Sequence, residues 1–107
     1  MSFQKLVESL SGLQVEENRV QSANYRELVF FVRDTKLWTE RISVFLGAPV
    51  KEPGTKPAAE HGSLTKAHGG IAANQTLFHA RVDGVAIIAM YWPWQDGERT
   101  TLKLAIV

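Results

Sequence analysis

Three apolar runs separated by two Asp-Gly dipeptides fill the C-terminal part of the chain. The runs cover residues 76–82, 85–94 and 99–107, and the dipeptides stand at 83–84 and 96–97. Asp-Gly between alternating apolar runs is typical of a tight β-hairpin, because both residue types tolerate positive φ. The pattern therefore predicts a three-stranded antiparallel meander.

Both hairpins predict the same register for the middle run. With 83–84 as a two-residue turn, Ala80 faces Ile87. With the second turn centred on 96–97, Ala89 faces Leu104 and Ile87 faces Ile106. A slip of one residue in either hairpin would send its apolar set to the opposite face of the sheet, so the agreement between the two hairpins is informative.

Pro93 defines the second hairpin further. Proline has no N–H group, so we expect it in a non-hydrogen-bonded pair, opposite Thr100. That placement favours a four-residue loop over residues 95–98, closed by Trp94 and Arg99.

Two amphipathic segments and one apolar run precede the meander. Residues 2–12 and 35–46 carry apolar side chains at the three-and-four spacing of one helical face, which predicts two helices. Gly12 and Gly47 are placed to end them. Residues 28–32, Leu-Val-Phe-Phe-Val, are apolar on both alternating faces, which predicts a strand covered on both sides.

These elements predict one α+β domain over residues 1–107, with two helices packed on a mostly antiparallel sheet of four or five strands. The chain of 107 residues is 45% hydrophobic and 21% charged, as is usual for a globular protein. Residues 14–24 are polar apart from two valines and are interpreted as a connector or an edge strand. Residues 48–74 are interpreted as a long loop.

Composition argues against several classes of function. Twelve Lys and Arg residues are dispersed among 11 Asp and Glu residues, so the basic surface that nucleic-acid binding requires is not expected. Cysteine is absent, which excludes disulfides and thiolate metal sites and makes the cytoplasm the expected location. The longest apolar run, residues 85–94, is shorter than the roughly 20 residues of a membrane-spanning helix, and the N-terminus lacks the pattern of a signal peptide.

The second face of the meander combines an apolar spine with aromatic and basic residues. The residues predicted to bind a partner there are Ile88, Met90, Trp92, Trp94, Arg99 and Lys103. Trp, Met and Arg are enriched where proteins meet, which favours a homodimer or protein-partner surface. The alternative is that the N-terminal helix covers this face. In either case Trp94 and Arg99 could form a cation–π pair.

The segment 48–74 is the other candidate region, because long loops are often functional. His61, His68, His79 and Glu60 fall within 20 residues and are the side chains that could hold a metal. Their spacing matches no local metal motif. No catalytic residue and no cofactor are predicted, because no serine is paired by spacing with a base and the glycines lack a phosphate-loop context.

One stretch resembles a known family. Val29-Phe30-Phe31-Val32-Arg33-Asp34, the helix after it and Leu46-Gly47 resemble the opening of a glyoxalase-type (vicinal oxygen chelate) module. In that family a strand ending in Asp leads to a helix that closes on Leu-Gly and is followed by three strands. The resemblance implies this element order. It does not extend to the helix interior, where Arg41-Ile42 stands in place of an aromatic pair.

Two hypotheses for function follow. The first is a non-enzymatic binding or assembly module that dimerises, or binds another protein, through the face of Trp92 and Trp94. The second is a small enzyme or a ligand- or metal-binding protein, with its pocket between the sheet and residues 48–74.

Overall fold

The fold is a five-stranded antiparallel sheet with helices on both of its faces, which confirms the predicted α+β class. A computed structural model describes residues 2–107. In chain order its elements are α1 (Ser2–Ser9), β1 (Glu17–Gln21), β2 (Tyr25–Phe31), a 3-10 turn (Val32–Asp34), α2 (Thr35–Leu46), α3 (Ala59–Thr65), a 3-10 turn (Lys66–His68), β3 (Thr76–Val82), β4 (Val85–Pro93) and β5 (Arg99–Ile106).

The strands lie in the order β1-β2-β5-β4-β3, and both predicted hairpin registers are confirmed. Ala80 pairs with Ile87 across the first hairpin, and Ile87 pairs with Ile106 across the second. Pro93 stands opposite Thr100. The backbone N–H of Trp94 donates to the carbonyl oxygen of Arg99 at 2.9 Å and so closes the loop. The loop is therefore the predicted four-residue one.

The first face of the sheet carries the main core. Helices α1 and α2 pack on it, and Trp38 of α2 stacks on Phe30 of β2 with ring centroids 5.0 Å apart. Helix α1 is shorter than the predicted 2–12, because it ends at Ser9 and the chain turns over residues 10–12. The core side chains are Phe3, Leu6, Leu10, Leu28, Phe30, Trp38, Ile42, Leu46, Phe78, Ile87, Ala89, Tyr91, Leu102 and Leu104.

The second face is covered over β3, β4 and part of β5 by residues 59–71, named here the cover. Leu64 and Ile71 of the cover pack on a second cluster of buried side chains, Leu77, Ile88, Met90 and Ala105. This corrects two expectations. The N-terminal helix packs on the first face and does not cover the second, and the segment 48–74 contains a helix and a 3-10 turn where a loop was predicted.

Lys51 joins the two ends of the segment 48–74, and this junction of residues 51–52 with residues 73–75 is named here the neck. The Lys51 side chain is 3% exposed, and its Nζ donates to the carbonyl oxygens of Glu52, Ala73 and Gln75 at 3.0, 2.8 and 2.6 Å. Its backbone also forms a bridge with Leu77 of β3. The two ends of the segment therefore lie side by side, so the cover is held between fixed points.

The element order agrees with the order that the glyoxalase-type resemblance implies, since β2 and α2 are followed by the three strands β3, β4 and β5. Helix α3 is an additional element between α2 and β3. Asp34 lies in the 3-10 turn that leads into α2, and α2 ends at Leu46. Among residues 2–107, no helix has the length and apolar character needed to cross a bilayer.

Candidate functional site

Five side chains on the uncovered part of the second face form the Trp94 surface: Arg19, Phe31, Arg33, Trp94 and Arg99. The guanidinium carbons of Arg19 and Arg99 lie 5.5 and 5.8 Å from the centroid of the Trp94 ring. Those of Arg33 and Arg99 lie 4.6 and 5.9 Å from the Phe31 ring. The predicted cation–π pair between Trp94 and Arg99 is thus present within a larger layer of arginines on aromatic rings.

This layer is built by the middle of β1 and by one end each of β2, β4 and β5. β1 supplies Arg19, β2 ends at Phe31, and β5 begins at Arg99, directly opposite Phe31. Trp94 follows Pro93 at the end of β4, and its Nε1 donates to the Thr101 hydroxyl at 2.9 Å. That bond orients the indole over β5.

Acidic residues lie beside two of the three arginines of the Trp94 surface. Arg19 is 2.7 Å from Glu17 and 3.6 Å from Glu27, and Arg99 is 2.8 Å from Asp96 and 3.5 Å from Glu16. The surface therefore carries both signs of charge close together.

Asp96 has a further role in the β4–β5 loop. Its Oδ1 accepts the backbone N–H groups of Glu98 and Arg99 at 2.8 and 3.1 Å. Hydrogen bonding from the Glu98 N–H, followed by the Arg99 side chain, lowers the pKa of the Asp96 carboxyl. The ionised carboxylate therefore fixes the loop that carries Arg99.

A cleft of about 430 Å³ adjoins the Trp94 surface. Phe31, Val32 and Arg33 form one wall, and Gly97 and Glu98 of the β4–β5 loop form the other. Val32 is 39% exposed, so this cleft offers apolar surface to the solvent beside a cationic side chain.

Trp92 and Lys103 lie apart from the Trp94 surface, at the edge of the cover. Lys103 Nζ is 3.4 Å from the Trp92 ring centroid and donates to the His68 carbonyl at 2.9 Å. Gly69 lies directly against the indole, because a Cβ built there would be 2.6 Å from Trp92 Cη2. Both side chains thus hold the end of the cover.

Ile88 and Met90, also predicted as partner-binding residues, have no exposed surface. The cover buries both of them. Of the six predicted residues, only Trp94 and Arg99 belong to the uncovered Trp94 surface.

His68 is placed by aromatic stacking. Its ring lies parallel to that of Tyr25, with centroids 5.0 Å apart and an interplanar angle of 6°. The Tyr25 hydroxyl donates to Glu27 at 2.6 Å. Burial, with the neighbouring Glu27 carboxylate, raises the pKa of Tyr25.

The other metal candidates line a cleft of about 420 Å³ between α3 and β3. Glu60, His61, Ser63, Leu64, His79 and Val50 surround it. His68 is not among these residues. Within residues 2–107 no group of three or more His, Asp or Glu side chains is arranged to hold a metal ion. The predicted set is therefore divided, with His68 at Tyr25 and the remaining three at the cleft.

Neither a known family model, nor a curated protein, nor a solved structure matches the chain.

Four contributors to these sites are not predicted by the sequence: Arg19, Phe31, Arg33 and Lys51. Arg19 lies in a polar stretch without a pattern. Phe31 and Arg33 fall within the predicted strand and just after it, where no pattern indicates a surface. Lys51 gave no signal, since a lysine between Val50 and Glu52 resembles any surface lysine. The distances from Arg19 to Trp94 depend on the pairing of β1 with β2, which the sequence left open.

Proposed function

We propose that this chain is a non-enzymatic binding module that self-associates through the Trp94 surface. The observation that carries the proposal is the contact of the Trp94 indole with two guanidinium groups, whose carbons lie 5.5 Å (Arg19) and 5.8 Å (Arg99) from the ring centroid, on the part of the sheet without a helical cover. Tryptophan and arginine are the side chains most enriched at the energetic centres of protein interfaces.

The charge pattern supports a second copy as the partner. A two-fold symmetric contact brings the same surface patch of two subunits together, so each charge needs an opposite charge within that patch. The Trp94 surface has this property at Arg19 and Arg99, because these two arginines alternate with Glu16, Glu17, Glu27 and Asp96. The adjoining cleft beside Phe31 gives room for a side chain of the other subunit.

The location proposed for the module is the cytoplasm. The chain has no cysteine, so nothing in its stability depends on an oxidising compartment.

Sedimentation equilibrium tests self-association. We expect the unmodified protein to dimerise at micromolar concentration, and Trp94→Ala to weaken the dimer by at least about tenfold, as for an interface hot spot. Val44→Asp is the matched control, because Val44 is 79% exposed on α2, on the opposite side of the sheet. A protein that stays monomeric up to about 100 μM, where even weak dimers populate, would refute the proposal.

A second candidate function is the binding of a small molecule in the cleft between α3 and β3. Its volume of about 420 Å³ falls within the range of ligand sites, and apolar Val50 and Leu64 are combined with the polar His61 and His79.

The fluorescent probe 1-anilinonaphthalene-8-sulfonate tests this cleft. We expect the probe to gain fluorescence with the unmodified protein and to lose most of that gain with Ser63→Trp. Ser63 is an exposed lining residue, so a tryptophan there fills the cleft without entering the core. Equal fluorescence with both proteins would exclude this cleft as the binding site.

A further inference from the structure

Arg26 lies on the apolar first face of the sheet. It precedes Leu28 and Phe30 at the alternating spacing of β2, and it stands directly opposite Leu104 of β5. All three of these neighbours are fully buried in the main core. An arginine at this position has lost part of its hydration, and this burial lowers the pKa of its guanidinium group. The group nevertheless stays protonated at neutral pH.

The charge of Arg26 has no counter-charge in the part of the chain that the structure describes. Within residues 2–107 the guanidinium forms no ion pair, and its Nε is buried without an acceptor. Its Nη2 donates to the side-chain oxygen of Asn18 at 3.0 Å. Arg99, which is also half-buried, differs because it contacts the carboxylates of Asp96 and Glu16. A partly desolvated cation without a counter-ion is costly, and a bound anion would relieve that cost.

A cavity of about 310 Å³ adjoins Arg26, between α1 and the turn that joins β1 to β2. This volume lies at the lower end of the range of small-molecule sites. Among the lining residues within 2–107, Arg26 is the one charged side chain. The others are the apolar Phe3, Val7 and Ala23 and the uncharged polar Gln4, Gln21 and Ser22. The cavity therefore combines one positive charge with apolar walls.

We propose that this cavity binds a small organic monocarboxylate, with the carboxylate on the Arg26 guanidinium and the apolar body between α1 and the β1–β2 turn. A guanidinium group binds a carboxylate through parallel N–H bonds, which are stronger where water is partly excluded. The Asn18 bond uses one N–H of the guanidinium and leaves others for a ligand.

The lining residues favour this class of ligand over an inorganic anion. One cation matches one negative charge, and Phe3 and Val7 favour a hydrocarbon body, since burying apolar surface is favourable. The site is on the first face of the sheet. The inference is therefore independent of self-association through the Trp94 surface and of the cleft between α3 and β3.

Titrations with hexanoate, 1-hexanol and inorganic phosphate test the proposal. The amide signals of the full chain are followed by NMR near neutral pH, in a buffer without carboxylate or phosphate. We expect hexanoate to shift the amides of residues 21–26 with a Kd on the order of 1 mM, as for a small fragment. The alcohol has a similar body without the charge and should bind at least about tenfold more weakly. Phosphate, which has no apolar body, should also bind more weakly than hexanoate.

Three variants locate the ligand. Arg26→Met keeps an apolar stem but removes the charge, and it should weaken hexanoate binding by at least about tenfold. Arg81→Met is the matched control, because Arg81 is exposed on β3, and it should bind hexanoate as the unmodified protein does. Ala23→Trp should abolish binding, because Ala23 is an exposed lining residue and a tryptophan there fills the cavity. This variant keeps Arg26, so it decides the matter even if Arg26→Met alters folding.

The proposal is overturned if residues 21–26 show no shifts with hexanoate up to about 20 mM, well above the expected Kd. Equal affinity for hexanoate and hexanol overturns it, because the carboxylate would then not be recognised. Phosphate that binds as tightly as hexanoate overturns the assignment to a monocarboxylate. Undiminished binding by Ala23→Trp, or by a folded Arg26→Met protein, overturns it as well, because the ligand would then lie elsewhere.

Discussion

The ammonium group of Lys103 lies 3.4 Å from the centroid of the Trp92 ring and donates to the His68 carbonyl at 2.9 Å. The Lys103 side chain of β5 therefore contacts the face of the Trp92 ring on β4 and a backbone carbonyl of the cover. A cation–π contact contributes about 0.5–1 kcal/mol at an exposed site and more where it is desolvated. Burial lowers the pKa of Lys103, against the opposing effect of Glu27. The far end of the cover is thus held by a charge that has lost part of its hydration.

Gly69→Ala should detach this end of the cover. The new Cβ would lie 2.6 Å from Trp92 Cη2, at a residue whose φ is +98°. We expect a loss of about 2–4 kcal/mol in the free energy of unfolding, from overpacking together with backbone strain. Gly70→Ala is the control: its φ is +79° but its Cβ meets nothing within 4 Å, so only the strain applies. Urea unfolding measures both, and equal losses would show that the contact with Trp92 is unimportant.

Lys51→Met should destabilise the neck of the segment 48–74. Methionine fills a similar volume, but the Gln75 carbonyl oxygen loses its Lys51 donor, and the carbonyl oxygens of Glu52 and Ala73 keep only the donors of Thr55 and Gly54. We expect a loss of roughly 1–3 kcal/mol, since an acceptor left without its donor in a part-buried site is costly. The exposed Lys66→Met should change stability by less than about 0.5 kcal/mol. Thermal and urea unfolding compare the two, and similar stability of Lys51→Met and the unmodified protein would contradict the expected role of Lys51.

Ile87→Asp should prevent folding. Ile87 is at the centre of the first face with no exposed surface, and its carboxylate replacement would have no partner there. The loss of packing together with a buried unpaired charge exceeds about 4 kcal/mol. Val44→Asp, at a site that is 79% exposed, should leave circular dichroism and the melting temperature nearly unchanged. A folded Ile87→Asp protein would remove this residue from the core.

Tyr91 should make the protein sensitive to alkali. Burial raises the pKa of its hydroxyl to about 12, although its hydrogen bond with Thr39 acts the other way. The unfolded chain loses this proton near its ordinary pKa of about 10, so stability falls as pH rises between these values, by up to about 1.4 kcal/mol per pH unit. Tyr91→Phe should show a shallower fall in urea unfolding between about pH 10 and pH 11. An unchanged slope would assign the alkaline sensitivity to other groups, among them Tyr25.

The sheet was predictable where local chemistry and long-range pairing coincide. The Asp-Gly turns, the alternation of apolar residues and Pro93 each restrict the same hairpins, and the registers of β3, β4 and β5 followed from them. Helix α2 was predictable for a similar reason, because its periodicity and the following Gly47 define the same end.

The cover was not predictable in the same way. Helix α3 has a glycine in its interior and a single large apolar residue, Leu64, so it shows no helical periodicity. Its order comes from the sheet beneath it and from the bond between His61 and Ala58. The apolar spine of Ile88 and Met90 did indicate that a cover was needed. It did not indicate which part of the chain would supply it.

The neck at Lys51 also determines what would happen if the backbone were cut. The Lys51 ammonium group donates to the Glu52 carbonyl at the start of the segment and to the Ala73 and Gln75 carbonyls at its end. The Gly54 N–H also donates to the Ala73 carbonyl, at 2.7 Å. A protease that cleaved between residues 55 and 72 would leave both fragments attached beside β3, through residues 51–54 and 73–75. The sheet would keep its hairpins, and the two fragments would stay together as a nicked but assembled protein.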